Sequence, residues 1–143
     1  MRPALLALLA LAVTGCGVVY TSPTEKLEMS VLRYNDAVRW RNLEAAAEHV
    51  PAAKRRAYID LRHKAGTDLT ILDYDIAGVR QTEPNKKAEV IVQFTWNRLP
   101  SNVVETTTFK QEWEYGEDKI WWFVGQQEVE PPKGPEVKLE DRF

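Results

Sequence analysis

The sequence predicts an α+β fold, with helices packed on one face of an antiparallel sheet of about four strands. Apolar residues recur with helical period over residues 27–65, then alternate with polar ones over much of residues 69–126. The segments joining the alternating runs are short and rich in turn formers. Such short links force neighbouring strands to run antiparallel.

Ser22-Pro23-Thr24-Glu25 opens the first helix. Ser22 can accept from the Glu25 amide while Glu25 reaches back to Ser22, a capping box, and proline suits the first helical position. Leu27, Val31, Tyr34 and Val38 then form one apolar stripe, with Glu28, Arg33, Asp36 and Arg39 largely elsewhere. This helix should end near Arg41, where Asn42 is a good cap for the next. Residues 43–50 read as a short helix with Leu43, Ala46, Ala47 and Val50 on one side, and Pro51 marks its boundary. Residues 52–65 read as a third helix whose buried stripe is Ala57, Tyr58, Leu61 and Ala65. Gly66 follows as a C-terminal cap, and His63 and Lys64 suit the negative end of the helix dipole.

The period then changes. In residues 69–76 Leu72, Tyr74 and Ile76 alternate, and the strand is expected to continue to Gln81 with Gly78 as a bulge or bend. Glu83-Pro84-Asn85-Lys86 is a turn. Ala88, Val90, Val92, Phe94 and Trp96 alternate through the clearest strand in the chain. Leu99-Pro100-Ser101-Asn102 turns it into residues 103–115, with Thr107, Phe109, Gln111, Trp113 and Tyr115 on one face. Thr106, Thr108, Lys110, Glu112 and Glu114 should be wet. After Gly116-Glu117-Asp118, residues 119–126 are the last strand. Residues 128–143 are charged, hold three prolines and cannot bury enough apolar surface to order themselves. They are expected to form a mobile tail.

The N-terminus obeys a different logic. Arg2 precedes an apolar run over residues 4–13, and Gly15 precedes Cys16, the only cysteine. The run is too short to span a bilayer, which takes about 20 apolar residues. It has the charged start, short apolar core and small residue of an export signal. Val13-Thr14-Gly15-Cys16 resembles the lipobox of bacterial lipoproteins. The resemblance implies cleavage before Cys16, lipidation of its thiol and acylation of its amine, with residues 1–15 removed. An ordinary signal with a coincidental cysteine is the alternative. Two or three acyl chains hold stably where one holds only marginally. Gly17, rather than an inner-membrane retention Asp, implies the periplasmic face of the outer membrane. In a Gram-positive source the same motif implies the outer face of the plasma membrane. Residues 16–22 are the lipidated cysteine and a short tether, so the domain over residues 23–127 should sit beside the bilayer.

A net charge of −2 argues against a nucleic-acid partner. His49 and His63 are the only histidines, and neither has a second ligand at metal spacing. No metal site or cofactor is expected. No glycine-rich phosphate loop is present, and Ser22, Ser30 and Ser101 lack a nucleophile's context.

The order of elements over residues 23–126 resembles the nuclear-transport-factor-two-like fold, in which helices and a strongly curved sheet form a cone. The start of the second helix, Asn42-Leu43-Glu44-Ala45, and the hairpin around Trp113-Glu114-Tyr115-Gly116 carry the likeness, and a cystatin-like helix on a sheet competes with it. The main departure to expect from that fold is that its first small strand, often found after the first helices, is shortened or missing here. The resemblance implies that any enzyme of this kind would use a carboxylate or histidine inside the cone, often with a tyrosine. Asp73, Asp75, Tyr34, Tyr58 and Tyr74 are the residues to weigh for that. Asp73 and Asp75 lie opposite Leu72, Tyr74 and Ile76, which puts them in water. Both faces of residues 120–124 are apolar, so Trp96, Trp113 and Trp121 are candidates for an aromatic binding surface that could stack on sugars. The favoured expectation is a non-enzymatic lipoprotein that binds an envelope protein or pairs as a homodimer. A small-ligand binder or an isomerase- or dehydratase-like enzyme using the cone is the alternative.

Overall fold

The computed structural model describes residues 22–133. The signal segment, Cys16, the tether over residues 17–21 and the tail from residue 134 lie outside the described residues. Helix α1 (Pro23–Arg39) is followed by α2 (Leu43–Ala47), a 3-10 turn (Ala52–Lys54) and α3 (Arg55–Lys64). Strands β1 (Leu69–Glu83), β2 (Lys87–Arg98), β3 (Val104–Tyr115) and β4 (Trp121–Val129) form one antiparallel sheet in that order. Among the described residues no strand precedes α3.

The capping box is formed. The Glu25 amide donates to Ser22 Oγ at 3.2 Å and the Ser22 amide to Glu25 Oε2 at 3.3 Å. The apolar stripe of α1 is buried as its period requires, and it packs on Val90, Val92, Trp113, Trp121 and Phe123 in one cluster. Each fully buried aliphatic side chain contributes about 1.5–3 kcal/mol. Past α1 the chain reverses at Arg41, which has a φ of 56°. Its guanidinium donates to the carbonyls of Leu69 at 2.5 Å and Gly66 at 2.7 Å, tying the helix end to the start of β1.

Two polar side chains sit inside the apolar cluster, Asn35 on α1 and Gln111 on β3, both fully buried. Gln111 Nε2 donates to Asn35 Oδ1 at 2.8 Å, and Asn35 Nδ2 donates to Gln111 Oε1 at 3.2 Å and to the Val31 carbonyl at 2.8 Å. Burying these amides is tolerable only because each satisfies the other.

The structure departs from the sequence reading where the sheet bends. Leu72, Ala77 and Thr82 of β1 are extra residues opposite β2, as is Val124 of β4 opposite β3. Each bulge shifts the alternation by one residue and bends its strand. Leu72 is thereby turned into solvent, and Ile71 joins Tyr74 and Ile76 against the core. Thr108, expected in water, is buried on the outer face between Gln93 of β2 and Val129 of β4. Strand β4 runs to Val129, into the segment read as tail. The stripe expected on α3 is not buried either: Leu61 is 68% exposed, and Ala57 and Ala65 are exposed. That helix presents Tyr58 and Arg62, one turn apart, towards the core instead.

The paired amides predict a specific pattern of stability. Asn35→Leu and Gln111→Leu should each cost about 1–3 kcal/mol, because each strands a buried amide. The double variant should lose less than the sum, leaving a coupling above about 0.5 kcal/mol in urea denaturation.

Candidate ligand-binding site

The sheet curls around α1, and the two ends of the resulting cone differ. At the end where α1 begins, the interior is filled. Trp121 Nε1 donates to the Pro23 carbonyl at 2.7 Å, Lys26 Nζ reaches the Lys119 carbonyl at 3.5 Å, and Gln81 Nε2 donates to Thr24 Oγ1 at 3.0 Å. The middle is filled by aromatic rings. Tyr34 stacks on Phe123 with centroids 4.4 Å apart and meets Trp113 edge-on at 5.6 Å. The Phe123 amide donates to the His49 carbonyl at 2.8 Å, which holds the loop after α2 against β4.

At the other end, where α1 stops and β2 turns into β3, a groove of about 270 Å³ opens. Its walls are Ile71 of β1, Phe94 and Trp96 of β2 and Phe109 of β3. Phe94 and Phe109 meet edge-to-face at 6.1 Å, and Trp96 Nε1 donates to Thr107 Oγ1 at 3.0 Å. These contacts fix the wall before any ligand arrives. The polar groups stand at its margin. Arg98 pairs with Asp68 at 2.8 Å and holds that carboxyl below its usual range, chiefly through their hydrogen bond. Glu128 is exposed on the rim. Arg62 comes from α3 and is partly buried. It donates to the Tyr34 hydroxyl at 3.3 Å and lies over the Tyr58 ring at 5.2 Å, while the Tyr58 hydroxyl donates to that of Tyr34 at 3.2 Å.

The expected aromatic surface is corrected by burial. Trp113 is 1% exposed and Trp121 0%, because both point into the core that α1 covers. Neither can stack on a sugar. Trp96 is the one of the three that lines the groove. Asp73 and Asp75 are exposed, as alternation requires, and Asp73 pairs with Arg39 at 3.1 Å. Tyr74 donates to Asp36 Oδ1 at 2.8 Å in a shallow outer depression rather than in the groove. Tyr34 and Tyr58 meet beside it, without a carboxylate. His49 is partly buried, and burial lowers its pKa; His63 is exposed. Among the described residues no group of three or more His, Cys, Asp or Glu could hold a metal ion. The sequence reading missed Arg62, whose only signal was its place one helical turn after Tyr58.

No protein-family model matches the chain, and no curated protein matches it. Solved structures do. A protein of unknown function from Shewanella oneidensis, described as NTF-2 like, is 15% identical, with a TM-score of 0.58 over 76% of this chain and all of that one. A ketosteroid isomerase-like protein from Erwinia carotovora is 12% identical, with a TM-score of 0.59 over 78% of this chain and all of the other. A putative calmodulin-dependent kinase II association domain from Exiguobacterium sibiricum is 10% identical, with a TM-score of 0.57 over 81% of this chain and all of that domain. The fold is nuclear-transport-factor-two-like. At these identities the likeness extends to architecture, and the chemistry has to be argued from the groove.

Burial around the phenols gives a pH signature. Desolvation raises the pKa of Tyr34 well above 10.0, and desolvation with the Asp36 hydrogen bond raises that of Tyr74 to about 12. The unfolded chain releases these protons first, so stability is intact below about pH 10 and falls as pH rises towards 12. Denaturation midpoints between pH 9 and 11.5 should show this fall, and Tyr34→Phe should make it shallower.

Proposed function

We propose that this chain is a lipoprotein anchored through Cys16, and that its nuclear-transport-factor-two-like domain is a binding module rather than an enzyme. The observation that carries the binding reading is the groove's interior. Ile71, Phe94, Trp96 and Phe109 form it, no imidazole lines it, and the one carboxylate lining it is Glu128 on the exposed rim. An apolar recess with polar groups at its margin suits a small apolar ligand. The isomerase-like neighbour is compatible with an enzyme, but acid–base chemistry would need a titratable group within reach of the ligand's reacting atoms.

The lipobox residues and the short tether support the anchor, and Gly17 supports the periplasmic face of an outer membrane. The start of α1 would then face the bilayer. The groove would open at the other end, about 25 Å away along the helix at 1.5 Å per residue. A ligand would be taken from the aqueous side rather than drawn up from the lipid. A second reading, docking of an envelope protein, is favoured by one feature of that same end. Leu99, Val103 and Val104 are all more than half exposed at the β2–β3 turn beside the groove.

The test uses the full-length protein purified from membranes. Mass spectrometry should find fatty acid on the peptide that begins at Cys16, and Cys16→Ser should abolish both the lipid and membrane fractionation. The neutral dye Nile red should bind with saturation and quench Trp96. Ile71→Trp, which fills the groove, should weaken dye binding at least tenfold. An unlipidated chain would overturn the anchor, and dye binding indifferent to Ile71→Trp would overturn the groove.

A further inference from the structure

We propose that the groove takes an amphipathic carboxylate, with its head on Arg62 and its apolar chain along Ile71, Phe94 and Trp96. This rests on the groove being the binding site and adds the chemical class of its ligand.

Arg39, Arg80 and Arg98 each have a carboxylate within 3.1 Å, at Asp73, Glu89 and Asp68 respectively. Arg62 is partly buried, yet no carboxylate among the described residues lies within ion-pair distance of it. Its neighbours are neutral: the Tyr34 hydroxyl and the face of the Tyr58 ring. They fix the guanidinium without neutralising it. A cation partly removed from water and left unpaired is costly, and an arriving anion relieves that cost.

Position adds to charge. Arg62 lines the 270 Å³ groove, a smaller recess of about 60 Å³ behind Val38 and Tyr58, and an open recess of about 370 Å³ between α3 and Phe123 of β4. A head group that reaches Arg62 from the groove has its tail along the apolar wall of Ile71, Phe94 and Trp96. A planar guanidinium with one nitrogen bonded to Tyr34 keeps further N–H donors for a carboxylate. A phosphate dianion would call for a second free cation, and the other arginine of the groove, Arg98, is already neutralised by Asp68. Glu128 lines the same groove from its exposed rim, where water screens it, and it makes no ion pair with Arg62.

Displacement of Nile red from the full-length protein, using octanoate, octanol and acetate at neutral pH, tests this. Octanoate should compete at least tenfold more strongly than octanol, and acetate should not displace the dye. Arg62→Gln should reduce octanoate to the level of octanol. The comparison of octanoate with octanol on the unaltered protein stands even if that variant does not fold. Equal competition by octanoate and octanol would overturn the carboxylate head and leave the groove reading intact. Displacement by acetate as strong as by octanoate would overturn the apolar tail. If neither octanoate nor octanol displaced the dye, the groove reading would fall with the proposal.

Discussion

Two amides meet in this protein where water does not reach, and much of the molecule is arranged around them. Asn35 and Gln111 exchange hydrogen bonds at 2.8 and 3.2 Å, and Asn35 is further held by the Val31 carbonyl one turn back. An unpaired amide at this depth is penalised, so only one rotation of α1 and one register of β3 are acceptable. Apolar packing alone would tolerate several. The clamp therefore converts a generic helix on a sheet into one defined cone.

The consequences run along the axis of α1. With the helix locked, Tyr34 comes to lie on Phe123 and against the edge of Trp113. The rings fill the middle of the cone, and Trp121 closes the end where α1 begins by donating to Pro23. Where α1 stops the sheet continues past it, and the groove forms there. The fold thus separates a filled end, next to the N-terminal segment, from an open end that carries Arg62, Arg98 and Trp96. That separation leaves the recess accessible at the end away from the N-terminal segment.

The sequence displayed the parts of this arrangement that are local. A capping box involves residues three apart, and alternation along β2 directly reports which side is buried. Hence α1, the sheet order and the wall residues Phe94 and Trp96 were readable. The bulges were not, because an extra residue in β1 is defined only by its partner strand. Leu72 continues an apolar alternation in the sequence and yet points outwards. The orientation of α3 was hidden for a similar reason. Leu61 is the more apolar residue, but Tyr58 and Arg62 are the ones that find hydroxyl and ring partners across the core. Trp121 was ambiguous because both faces of residues 120–124 are apolar, and only the position of α1 decides which face is inside. Asn35 and Gln111 did leave a trace, each a polar residue at an inward position of an apolar stripe. What they do there becomes visible only when the two stripes are brought together.

Native-state hydrogen exchange tests the clamp most directly. If the paired amides bind α1 to β3 as one unit, the amides of residues 34–38 and of residues 109–113 should exchange through the same opening, at the free energy of global unfolding. Exchange of the α1 amides through a separate, lower-energy opening, with β3 still protected, would contradict the account.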